Sequence, residues 1–84
     1  MRILLVAPDG TPDANVWVLM SQMRNNGQVP VYPYRETLLA ELATVGGYYL
    51  MPGWSASARC RAVDLLATEA GLRRYGRVTE RTAP

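Results

Sequence analysis

Tyr48-Tyr49-Leu50-Met51-Pro52-Gly53-Trp54-Ser55 reads as a strand, a sharp turn and a helix start. The apolar run ends abruptly at Pro-Gly-Trp, and a helix-forming segment follows at once. In α/β proteins such a junction faces the ligand. Free backbone N–H groups and the positive end of the helix dipole meet there.

Outward from this junction the same alternation continues. Ala56 to Ala70 predicts a helix, with Cys60, Val63, Ala67 and Ala70 along one stripe and Leu66 beside it. Gly71 suits its left-handed cap, and Leu72 the hydrophobic contact that follows such caps. Upstream, Gly46-Gly47 breaks a short helix over Arg35 to Ala43 that carries Leu38, Leu39 and Leu42. Gln28 to Pro33 reads as a strand at a sheet edge, since Pro30 and Pro33 each remove a ladder donor. Arg2 to Ala7 is a near-continuous apolar run, the pattern of a central strand buried on both faces. Thr11 offers an N-cap oxygen, Pro12 suits the first helical position and Asp13 adds charge that the dipole favours. Val16, Leu19, Met20 and Met23 recur at helical spacing, with Trp17 beside them, and Gly27 closes that helix. Arg73 to Val78 can form a last short strand.

The order β-α-β-α-β-α-(β) predicts a small three-layer sandwich of Rossmann-like or flavodoxin-like type. Its parallel sheet has three to four strands joined by right-handed crossovers. One α/β domain is expected over residues 1–78, with a polar, frayed end over 79–84. Ligands in such sheets gather beyond the carboxyl ends of the strands. Here those ends are Ala7-Pro8-Asp9-Gly10, Pro33-Tyr34 and Pro52-Gly53-Trp54.

Composition narrows the chemistry. The 84 residues contain no histidine, so imidazole is excluded as base, shuttle or metal ligand. All nine basic residues are arginine, which excludes a Schiff-base lysine and a P-loop lysine. Cys60 is the single cysteine, leaving no internal disulfide and no cysteine metal cluster. No metal and no cofactor are expected. No segment approaches the roughly 20 apolar residues of a membrane span. A soluble, cytoplasmic protein with no membrane partner is expected. A net charge of +2 is too weak to argue for nucleic acid, and Arg73, Arg74, Arg77 and Arg81 read as a solvated basic end. So short a chain buries a modest share of its surface, and a parallel sheet needs cover on both faces. A second copy of the chain is expected to supply some of it, making a homo-oligomer.

Val6-Ala7-Pro8, Gly10-Thr11-Pro12 and Asn15 resemble the N-terminal signature of small nucleoside 2-deoxyribosyltransferase-like proteins, common in phages and prophages. Leu50-Met51-Pro52-Gly53-Trp54, Arg59, Arg61 and the helix ending at Gly71 resemble the second signature of that group. The resemblance runs from Ile3 to Leu72. It implies a nucleoside or nucleotide pocket. In active relatives a glutamate on the helix after Pro-Gly-Trp attacks the sugar's anomeric carbon, and a second base or water resolves the covalent intermediate. A carboxylate suits an oxocarbenium-like transition state.

Counted along the helix without a gap, Val63 stands where that glutamate is expected, and valine cannot attack. Asp64 is adjacent, but one helical step turns its side chain by about 100°. It is the candidate for any carboxylate nucleophile. Gly46 stands where relatives often carry an aspartate. The implied function is nucleoside or nucleotide binding with catalysis lost or altered. The alternative is a structural or interaction module with a vestigial cleft.

The candidate ligand-binding residues are Asp9, Gly10, Asn15, Pro52, Gly53, Trp54 and Ser55. Each has a bland reading beside the functional one. Asp9 accepts from a ribose hydroxyl, or bonds its own turn near Gly10. Asn15 reaches a ligand from its helix, or braces the turn. Trp54 stacks on a base, or packs the turn against a helix or a second subunit. Ser55 and Ser57 hold an anion with the N–H groups after Gly53, or simply cap the helix. Arg59 and Arg61 meet a phosphate or a neighbouring subunit, or form a solvated face with Arg61 paired to Asp64 at i, i+3.

Overall fold

The computed structural model describes residues 1–76. A four-stranded, all-parallel sheet has the order β2-β1-β3-β4. The strands are β1 (Arg2–Val6), β2 (Val29–Val31), β3 (Gly47–Leu50) and β4 (Arg73–Tyr75). The helices are α1 (Asp13–Asn25), α2 (Leu38–Glu41) and α3 (Ala58–Glu69). The fold is the expected α/β sandwich of Rossmann or flavodoxin type. β2 lies at the sheet edge, where Pro30 costs no interior ladder bond.

β1 is covered on both faces, and its side chains alternate between two cores. Leu4 and Val6 join Leu38, Leu50, Cys60 and Val63 beneath α2 and α3. Ile3, Leu5 and Ala7 join Val16, Met23 and Met51 beneath α1. Each fully buried aliphatic side chain contributes about 1.5–3 kcal/mol, so the continuous run of β1 anchors both layers. Tyr48 and Tyr49 go to opposite faces, as adjacent strand residues must. Tyr48 lies under α3, while Tyr49 packs on the α1 side.

Several local expectations are corrected. Thr11 does not cap α1, whose N-cap is Pro12 without a side-chain bond. Thr11 instead closes a turn onto the Pro8 carbonyl, through its N–H at 3.2 Å and its hydroxyl at 2.8 Å. The segment expected as one helix over Arg35 to Ala43 is a 3₁₀ turn, Arg35–Thr37, followed by a single α turn. Only Leu38 of its three leucines is fully buried. The helix expected from Ala56 starts at Ala58, after a 3₁₀ turn over Trp54–Ala56. Cys60, Val63 and Ala67 face the core, but Ala70 is exposed at the helix end and Leu66 is about half exposed. Gly71, at φ +79°, closes α3 as expected, with Leu72 N–H returning to Ala67 O at 3.0 Å. β4 ends at Tyr75, and Arg77, Val78 and Arg81 lie outside the described residues. Among the described residues no helix is long and apolar enough to cross a membrane.

Candidate functional site

The chain leaves β1 toward β2 on one side and later reaches β3 on the other. The carboxyl ends of β1 and β3 therefore flank the point where strand order reverses, and there the connections diverge and leave a crevice.

Two loops build its walls. After β1 come Ala7, Pro8, Asp9 and Gly10, the last at φ +88°. After β3, Met51 N–H still bonds Val6 O at 2.9 Å, and Pro52-Gly53 then turn the chain. Gly53 sits at φ +89°, and a Cβ there would lie 3.6 Å from the Pro8 ring. The two loops thus touch. Ser57 caps α3, its hydroxyl accepting from Cys60 N–H at 3.3 Å. From the first turn of α3, Arg59 reaches back across the crevice. Its Nη2 donates to Ala7 O at 2.7 Å and to Asp9 Oδ1 at 3.2 Å. Its Nε is buried without a hydrogen-bond partner.

Among the described residues, three hollows lie around these loops. One, of about 520 Å³, lies at the start of α3 between Pro8, Asp9, Gly53, Ser57 and Arg59. A second, of about 470 Å³ and largely apolar, lies against α1 and β3, with Thr11, Asn15, Leu19, Tyr49, Met51 and Pro52 in its wall. The third, of about 640 Å³, lies beyond β1 and β2. Aromatic residues Trp17, Tyr32 and Tyr34 line it, together with Asp9, Asp13 and Arg59.

The candidate residues are divided among these hollows. Asp9 and Gly53 share the first, while Asn15 and Pro52 share the second. Gly10 shapes its turn but lines none of the three. Ser55 also lines none of them, and its carbonyl accepts from Arg61 Nη1 at 2.6 Å. That contact replaces the expected Arg61–Asp64 pair. Trp54 packs against the α3-side core, and the Arg74 guanidinium sits 4.6 Å from its ring centroid. Its packing role is therefore the one the geometry carries.

Asp64 is away from the crevice. Seven residues beyond Ser57, it lies about 10 Å down the helix axis. Its Oδ1 accepts from the Tyr48 hydroxyl at 2.6 Å, and the same hydroxyl is 3.2 Å from Thr68 Oγ1. Burial, and then the bond to Asp64, push the Tyr48 phenol above its ordinary value of 10.0. Val63 is 2% exposed within the apolar layer. Among the described residues no group of three or more His, Cys, Asp and Glu side chains is placed to hold a metal ion.

Two features went beyond the sequence reading. Arg59 was read either as meeting a phosphate or a neighbouring subunit or as part of a solvated face, and its bonds to Ala7 O and Asp9 across the crevice were not foreseen. An arginine in the first turn after a capping serine is the signal that could have found it. The Trp17, Tyr32 and Tyr34 cluster draws on two separate segments, and no spacing in the sequence brings them together. Comparison with family models, curated proteins and solved structures returns no match.

Proposed function

We propose that this chain binds a nucleoside or nucleotide at the β1–β3 switch point, with the transferase reaction of the family it resembles lost or altered. The observation that carries this is the juxtaposition of Asp9, Gly53 and Arg59 at the start of α3. Asp9 offers an acceptor for sugar hydroxyls. The α3 N-terminus and Arg59 favour a phosphate. The neighbouring hollow at Asn15, Tyr49 and Pro52 supplies an apolar wall with polar edges, suited to a base.

The site speaks against efficient transfer. Val63 is in the core, and the Asp64 carboxylate is engaged by Tyr48 about two turns down the helix. A thermal-shift panel of nucleosides and nucleotides tests binding, because a ligand held only by the native state raises its stability. No shift with any of them rejects the reading. Incubation with a deoxynucleoside and an acceptor base tests the chemistry. Base exchange that vanishes in Asp64→Ala rejects the claim that transfer is lost.

A second reading is a self-associating module with a vestigial cleft. It is favoured by Leu65 and Leu66, adjacent on α3 and 69% and 47% exposed. Among the described residues α1 is the one helix on the other sheet face, which suits cover from a second copy. Light scattering that gives a monomer across the micromolar range, with Leu65→Glu unchanged, removes this reading.

A further inference from the structure

We propose that the hollow beyond β1 and β2 is a binding site for a small organic cation of the quaternary ammonium or alkylammonium class. This hollow adjoins the nucleoside site and shares Asp9 and Arg59 with it, but its aromatic wall and Asp13 play no part in that reading. Its walls carry Trp17, Tyr32 and Tyr34, which are 66%, 41% and 84% exposed. The fold does not need these rings for its core. Large aromatic side chains left open around one concavity mark an interaction site.

Charge selects the ligand. Among the described residues the hollow is bordered by two carboxylates, Asp9 and Asp13, and one guanidinium, Arg59. Arg59 already serves Ala7 O and Asp9, so these two charges offset each other. Asp13 adds a second carboxylate at the rim, one that Arg59 is not bonded to. The faces of indole and phenol rings are also negative, and they attract a cation placed over them. An anion meets repulsion from Asp13. A neutral planar ring gains stacking but nothing from the carboxylate. Buried Ala7 and Leu38 give the hollow an apolar floor, which fits methyl groups better than a hydrated ammonium ion. A quaternary ammonium satisfies rings, carboxylate and floor together.

The test is an NMR titration of the full chain with choline, alongside its uncharged carbon isostere 3,3-dimethylbutan-1-ol. The two tryptophans separate the sites, since Trp54 is held under Arg74. The expected result is a saturable shift of the Trp17 indole signal with choline and no change at Trp54. The isostere is expected to bind about tenfold more weakly, as loss of the cation–π attraction predicts. Read at the backbone amides of Tyr32 and Tyr34, Trp17→Ala should abolish the choline response and Asp13→Asn should weaken it severalfold. Both residues are exposed, so their replacement leaves the fold intact, and the amide dispersion of each variant verifies this. Equal binding of choline and isostere overturns the proposal. So does the absence of saturable choline binding, or a Trp17 response to adenosine that choline does not compete. Nucleotide binding read at the Gly53 loop is unaffected by any of these results, so the two proposals fail separately.

Discussion

The Tyr48 hydroxyl donates to Asp64 Oδ1 across 2.6 Å, joining the second residue of β3 to the middle of α3. Tyr48 is 1% exposed, and Asp64 makes the shorter of its phenol's two hydrogen bonds, the other being to Thr68 Oγ1 at 3.2 Å. The bond explains why a carboxylate stands next to the apolar stripe of α3. Tyr48→Phe removes the donor and is expected to lower stability by about 1–2 kcal/mol. Asp64→Ala is expected to cost a similar amount. The double variant should cost less than the sum, because the two residues act as one unit. Urea unfolding of the four proteins measures this, and full additivity would show that the bond carries no coupling.

The same contact sets an alkaline limit. Burial and Asp64 raise the Tyr48 phenol above 10.0, so the native state holds its proton where the unfolded chain has released it. The contribution is complete below the unfolded pKa of about 10 and is lost as pH rises through the folded value. Melting temperature should therefore fall above about pH 10, and fall less steeply in Tyr48→Phe. Parallel slopes in the two proteins would show that Tyr48 does not govern this limit.

The fold was legible because its signals are local. The apolar run of β1, the prolines of β2 and the glycine caps at Gly27 and Gly71 each act within a few residues. The site was legible only in part. Asp9 and Gly53 were placed correctly at strand ends, since topology alone takes them there. Arg59 was not, because its partners Ala7 and Asp9 lie about fifty residues away and a long flexible side chain leaves no periodic trace. Helix starts were misplaced where loop bonds competed with helical ones. The Thr11 hydroxyl went to Pro8 O, and Trp54 to Ala56 closed a 3₁₀ turn before α3 began.

Gly47 is required by a ring rather than by a turn. A Cβ at this position would lie 2.5 Å from Tyr75 Cε2 and 3.0 Å from the Arg73 carbonyl oxygen. Tyr75 is 2% exposed and cannot swing into solvent without leaving its core. Gly47→Ala should therefore destabilise by about 1–3 kcal/mol, the usual cost of overpacking. In a Tyr75→Ala background the same change should cost less. Equal cost in both backgrounds would assign the effect to the Arg73 backbone instead.

Arg59 and Asp9 form an ion pair whose two ends differ in depth. The Asp9 side chain is 69% exposed, against 28% for Arg59. A pair this open on one side is worth little, so Asp9→Asn should change stability by less than about 0.5 kcal/mol. Arg59→Met also removes the 2.7 Å bond to Ala7 O and should cost about 1–2 kcal/mol. Chemical denaturation at low and high salt separates the two contributions. The Arg59 effect should survive high salt, because a charge-to-carbonyl bond in a partly buried crevice is weakly screened. A loss that disappears with salt would place the Arg59 contribution in the ion pair.

Val63 tests whether an acid at this position could support the transfer reaction proposed above as lost. Its side chain is 2% exposed among Leu4, Val6, Leu50 and Cys60, on the face of α3 that meets the sheet. A glutamate there would be taken from water into an apolar layer, where an unpaired carboxylate either protonates or unfolds its surroundings. Val63→Glu is expected to cost about 3 kcal/mol or more and to raise no base exchange with deoxynucleosides. Val63→Thr, similar in shape but adding one hydroxyl, should cost less and keep the fold. Melting curves and a base-exchange assay of the two variants read both halves of the argument. A stable, exchanging Val63→Glu protein would mean that α3 can rotate this position into the crevice, and the core assignment of Val63 would fall with it.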